Sequence, residues 1–140
     1  MKKLNEILQQ KPVFLNNWSS LDDVIADFSD EYIYRAEVTD KHREKFKDYN
    51  ILFASYGTPS YEGYAWVLFE QNGKLFEVEG SHCSCYGLEG QFEPNETFLD
   101  VLEHRLLNGT FGEEEYCENS FKKELCDFLG VEYKSNIRKY

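Results

Sequence analysis

Apolar and polar positions recur along this 140-residue chain with two periods, one helical and one strand-like, and the change of period divides it into elements. Leu4, Ile7 and Leu8 lie at helical spacing between Lys3 and Gln10, predicting a short N-terminal helix that Pro12 ends. Ser20 with Asp23 three residues later has the form of a capping box. Leu21, Val24, Ile25 and Phe28 continue at helical spacing, leaving Asp22, Asp23, Asp27 and Asp30 for the outer side. Residues 32–38, YIYRAEV, alternate Ile33 with Arg35 and Glu37 and carry β-forming types, which predicts a strand. Residues 40–50 read as a polar connection with a turn or two of exposed helix, and 51–56, ILFASY, as a short buried strand bounded by Gly57 and Pro59.

The strongest pattern is a hairpin over 64–79, in which YAWVLFE and LFEVE are joined through QNGK with Asn72-Gly73 at the turn. Ala65, Val67 and Phe69 fall on one face and Tyr64, Trp66 and Leu68 on the other. Both faces are largely apolar, so this pair is expected at the centre of a sheet with helices over at least one face. Gly80, Gly87 and Gly90 enclose SHCSCYGLE in a tight loop. A helix follows over 96–107 with Phe98, Val101, Leu102 and Leu106 as its stripe and Asn108-Gly109 as its stop. A last helix, capped by Asn119 or Ser120, carries Phe121, Leu125 and Phe128 and ends at Gly130. Tyr56, Tyr61 and Tyr64 read as aromatics that close the end of a core, and 134–140 as a basic tail that frays. Together these elements predict one α+β domain over 1–140, a central antiparallel sheet packed by N- and C-terminal helices.

Composition narrows the function classes. Aromatics at 16% supply enough bulk for a core, which argues against a disordered chain. No apolar run approaches the roughly 18–20 residues of a membrane-spanning helix. Asn5, Glu6, Gln9 and Gln10 interrupt any secretory signal core, so the expected compartment is the cytoplasm. In a reducing compartment the four cysteines are more often free, metal-bound or catalytic than disulfide-linked. A net charge of −11 repels phosphates, which argues against direct binding to nucleic acid or anionic lipid and favours a basic protein surface. Two acidic groups stand out: Asp22, Asp23, Asp27 and Asp30, and Glu113, Glu114, Glu115 and Glu118. Each reads either as a solvated face or as a carboxylate surface that occupies a basic groove, such as a nucleic-acid-binding channel.

The densest reactive cluster is Ser81-His82-Cys83-Ser84-Cys85. Alternate residues of an extended segment point the same way, so Cys83 and Cys85 suit one zinc ion, with His82 turned inward by the glycine-rich loop. His104 is the fourth candidate ligand, and Cys117, Cys126, Glu89 and Glu93 are further options. The alternative is that Cys83 and Cys85 are small buried hydrophobes and His82 is satisfied by a backbone carbonyl. A thiol nucleophile beside His104 or His42 is the enzymatic reading. The surrounding Glu77, Glu79, Glu89 and Glu93 raise thiol pKa values and count against it, so no catalytic residue is assigned.

Residues 61–97, YEGYAWVLFEQNGKLFEVEGSHCSCYGLEGQFEPNET, resemble a group of small proteins of phages and integrated mobile elements. Their recurring string is close to GSHCSCYGLEGQ followed by an aromatic, an acid and a proline, here Phe92, Glu93 and Pro94. A small acidic protein of this kind is also similar to anti-CRISPR inhibitors, which include metal-binding inhibitors of type II effectors. That resemblance implies a non-enzymatic protein in the cytoplasm of a bacterial host that binds a type II CRISPR effector nuclease, blocking loading of target DNA or an activation step. It implies a structural zinc holding the 80–90 loop, with His82, Cys83 and Cys85 at the matching positions. The rival expectations are a metal-free structural or regulatory phage protein and a cysteine- or zinc-dependent hydrolase.

Overall fold

A five-stranded mixed sheet in the order β1-β2-β3-β4-β5 organises the chain, in a computed structural model that describes residues 1–84, 86–113 and 116–137. Helix α1 (Leu4–Leu8) leads into strand β1 (Val13–Asn16). Helix α2 (Leu21–Phe28), a 3-10 turn (Arg35–Glu37) and helix α3 (Asp40–Glu44) then carry the chain back to β2 (Asn50–Gly57). The long strands β3 (Gly63–Gln71) and β4 (Lys74–His82) form the expected hairpin. β5 (Asn95–Thr97), α4 (Leu99–Asn108), a 3-10 turn (Tyr116–Glu118) and α5 (Lys122–Leu129) complete it. β2 to β5 pair antiparallel; β1 runs parallel to β2 at the edge, the pairing a helical crossover permits. Asn72 and Gly73 both take positive φ at the hairpin turn, where Gly73 N–H donates to Glu70 Oε2 at 3.0 Å.

The alternation along β3 fills two cores. Ala65, Val67 and Phe69 face Trp18, Val24, Ile25 and Phe28 under α2. Trp66 and Leu68 face Ile7 of α1, Leu102 and Leu106 of α4, and Leu125 and Leu129 of α5. Both faces of the sheet are therefore covered. A register shift between Ile51 and Phe53 turns Leu52 and Phe53 onto the second face together, which buries the whole run Ile51–Tyr56.

Three sequence expectations are corrected. Residues 32–38 form no strand: Arg35 is drawn onto Asp27 at 3.0 Å and Asp23 at 3.6 Å, and Glu37 Oε1 accepts the Tyr34 N–H, closing a 3-10 turn. The helix expected from 96 begins at Leu99, because Asn95–Thr97 pair with β4. Phe98 and Val101 are then exposed, while Leu102 and Leu106 are core. Val13–Asn16, not expected as a strand, adds the parallel edge.

Candidate functional site

The glycine-rich loop after β4 is held to the sheet at its base. Gly80 leaves no room for a side chain, since a Cβ there would lie 2.9 Å from Leu88 Cδ2, and Leu88 is fully buried. Gln91 Oε1 accepts the Ser81 N–H at 2.9 Å while its Nε2 donates to the Gly87 carbonyl at 3.0 Å. Glu89 Oε2 accepts the Gly87 N–H at 2.8 Å. His82 closes the other side. Its Nδ1 lies 3.0 Å from the Cys83 carbonyl, which can only accept, so the ring proton sits there and Nε2 accepts from the Tyr56 hydroxyl at 2.6 Å. Tyr56 is buried, and that burial, reinforced by the nearby Asp27 carboxylate, pushes its phenol up to about 12. Above this base Cys83, Ser84 and Tyr86 are exposed.

The expected zinc ligands are placed as follows. His82 offers its single lone pair to Tyr56. Cys83 is exposed at the loop tip, and Cys85 lies outside the described residues. His104 sits exposed on α4, hydrogen-bonded with Asn108 at 3.2 Å, and α4 packs against the sheet face opposite the one that His82 and Tyr56 share. The sheet thus separates His82 from His104. Cys126 is buried in the second core, where burial pushes its thiol up, and Cys117 is buried as well. Among the described residues no group of three or more His, Cys, Asp or Glu stands close enough to hold a metal ion. His42, the other candidate base, caps α3 by accepting the Thr39 N–H at 2.9 Å.

The acidic candidates divide into inward and outward groups. Asp23 is buried and accepts the Ser19 N–H at 2.7 Å; Asp27 is half-buried and accepts from Trp18 Nε1 at 2.7 Å. Asp22 is held by Arg43 at 2.9 and 3.0 Å, and that hydrogen-bonded guanidinium keeps its carboxyl below the usual value. Asp30 is exposed, 3.9 Å from Lys45. Glu113 turns inward: it is 7% exposed, 3.3 Å from the fully buried Lys122 ammonium and 2.8 Å from the Asn136 N–H. Asp23 and Glu113 are therefore internal struts and offer no surface to a partner. Glu118 is exposed, and Glu114 and Glu115 lie outside the described residues.

The two segments singled out in the sequence each pack against the same end of the β2–β3 pair. A Cβ on Gly57 would lie 2.1 Å from the Cys117 carbonyl oxygen, and one on Gly63 would lie 2.1 Å from His82 Nε2, so the 116–119 turn and the 80–92 loop press on the two ends of one connection. Asn119, expected as a helix cap, locks the first contact from a buried position. Its Nδ2 donates to the carbonyls of Tyr64 at 3.0 Å and Ser55 at 3.2 Å, and its Oδ1 accepts from Asn16 at 2.9 Å and from the Ser55 hydroxyl. Tyr56 and Tyr64 close the core here as expected, whereas Tyr61 is 75% exposed. Glu62, Glu79 and Glu118 are exposed; Glu79 accepts from the Tyr64 hydroxyl at 2.9 Å. Residues 51–133 hold sixteen acidic and four basic side chains, so this part of the chain carries a net −12 while the rest is nearly balanced. Glu62 and Glu79 had no motif to mark them; the strand register sets Glu79 opposite Trp66 and within reach of Tyr64.

Among the described residues no helix is long and apolar enough to cross a membrane. Set against protein-family models, curated proteins and solved structures, the chain matches none of them.

Proposed function

We propose that this protein is a non-enzymatic inhibitor that docks on a basic, nucleic-acid-binding protein through the end of its sheet, as the resemblance to phage and mobile-element inhibitors of type II CRISPR effectors implies. The observation that supports it is the exposure of Tyr61 and Glu62 in the β2–β3 connection, which is flanked at Gly63 by the 80–92 loop with its exposed Tyr86 and at Gly57 by the 116–119 turn with its exposed Glu118, in a stretch that carries a net −12. Exposed tyrosines supply apolar area at low entropic cost, and carboxylates steer them towards rows of Lys and Arg. A channel built to hold nucleic acid presents such rows, and a protein seated there excludes DNA by competition.

A zinc ion is not required for the docking loop to keep its shape in this reading, because Gln91, Glu89, Leu88 and His82 already fix its base. The test is a binding titration against a purified type II effector loaded with guide RNA, at low and high salt, with and without prior target DNA. Tight, salt-sensitive binding that DNA prevents, and that the triple variant E62Q/E79Q/E118Q weakens about tenfold or more, is the expected result. Absence of binding in both salts removes the effector as partner and returns the chain to a structural or regulatory role.

A further inference from the structure

A second region of the molecule uses none of the docking groups. Between the C-terminal end of α2 and α3 lies a half-open cavity of about 430 Å³, within the range of small-molecule sites. Its apolar wall is aromatic: Phe92 stands 4.9 Å from Phe46, 5.2 Å from Tyr49 and 5.3 Å from Phe28 between ring centroids. The polar groups lining it carry both signs. Asp30 and Glu31 present carboxylates, Lys45 presents an ammonium, and His42 completes the set. Because His42 Nδ1 accepts the Thr39 N–H, its remaining ring nitrogen carries the proton and acts as a donor. Asp30 and Lys45 touch each other only at 3.9 Å and both side chains are largely exposed, so each is free to turn to a ligand.

We propose that this cavity binds a small zwitterion with an apolar side chain, of the aromatic or branched aliphatic α-amino acid class. An organic cation alone would face Lys45, and an organic anion alone would face Asp30 and Glu31. A molecule with both charges on one carbon and an apolar body satisfies the two acceptors, the two donors and the aromatic wall together. The ammonium goes to Asp30 and Glu31, the carboxylate to Lys45 and His42, and the side chain lies against Phe46 and Phe92.

The test is titration of the intact chain, followed by calorimetry and amide chemical shifts, with L-phenylalanine and L-leucine. Phenethylamine, which lacks the carboxylate, and 3-phenylpropanoate, which lacks the ammonium, are the comparison ligands. The expected result is binding of the amino acids with shifts confined to α2, α3 and the Phe92 region, and about tenfold weaker binding of either single-charge analogue. The exposed-site variants E31Q and K45Q should each weaken the amino acid while leaving the fold intact. Equal binding of phenethylamine or of 3-phenylpropanoate overturns the zwitterion assignment, and no shift with any of these ligands up to about 10 mM overturns the site itself.

Discussion

The Tyr56 hydroxyl donates to His82 Nε2 across 2.6 Å, which joins the C-terminal part of β2 to the last residue of β4 over the intervening Gly63. A histidine that reads in the sequence as a zinc ligand is thereby a tie between strands. Its tautomer is set by the Cys83 carbonyl on the other side of the ring. Replacing Tyr56 by Phe leaves Nε2 without its donor while preserving the ring packed on Trp18 at 5.1 Å. The expected cost is about 1 kcal/mol, read as a lower urea midpoint with an unchanged slope.

Alkali should destabilise the fold through the same tyrosine. The Tyr56 phenol lies at about 12 against an ordinary 10.0, and Tyr64 is raised as well, by burial and then by the negative Glu79 carboxylate to which its hydroxyl donates a hydrogen bond. For an acid whose folded value is raised, the unfolded chain releases its proton first. The stability these phenols contribute is whole below pH 10.0 and is lost as the pH rises towards about 12. Denaturant midpoints across that window, taken with and without Tyr56→Phe, should differ in slope against pH.

Glu113 gives the opposite limb. Burial raises its carboxyl, but hydrogen bonds from Ser135, the Asn136 N–H and Lys122 outweigh that, and the net shift is downward from 4.5. Its contribution is complete above 4.5 and fades as the pH falls through the lower folded value. Glu113→Ala strands the Lys122 ammonium in a site where the Gly109 carbonyl at 3.1 Å is its other partner. We expect a loss of about 2–3 kcal/mol at neutral pH, and a smaller loss for the double variant Glu113→Ala with Lys122→Met, because no unpaired charge remains.

The loop tip separates the two readings of its cysteines. With Gln91, Glu89 and His82 holding the base, Cys83→Ser at an exposed position should move the melting temperature by about 2 °C or less. A chelator should leave it in place too. A large drop in either experiment, with one zinc per chain measured in the purified protein, is the outcome expected if an ion spans the tip.

The hairpin over 64–79, the buried strand before it and the Ser20-capped helix were legible because each rests on local physics: a two-residue turn that admits positive φ, an unbroken apolar run, and a side-chain cap. The boundaries that shifted did so where a distant partner outbid local preference. Arg35 took Asp23 and Asp27 rather than a strand, and Asn95–Thr97 paired with β4 rather than opening the next helix. The same holds at the candidate site. The sequence alone marked His82, Cys83 and the acids of 113–118 as chemistry-bearing, and a net charge of −11 pointed to a basic partner. Which of those carboxylates face water was decided by tertiary structure. Glu113 meets Lys122 nine residues on, and Asp23 meets the Ser19 N–H, because burying either charge is tolerable only with a partner in reach. That the 80–92 loop and the 116–119 turn pack against the two ends of one connection depends on Gly57 and Gly63 lying at the ends of paired strands, a relation of register that no spacing along the chain records.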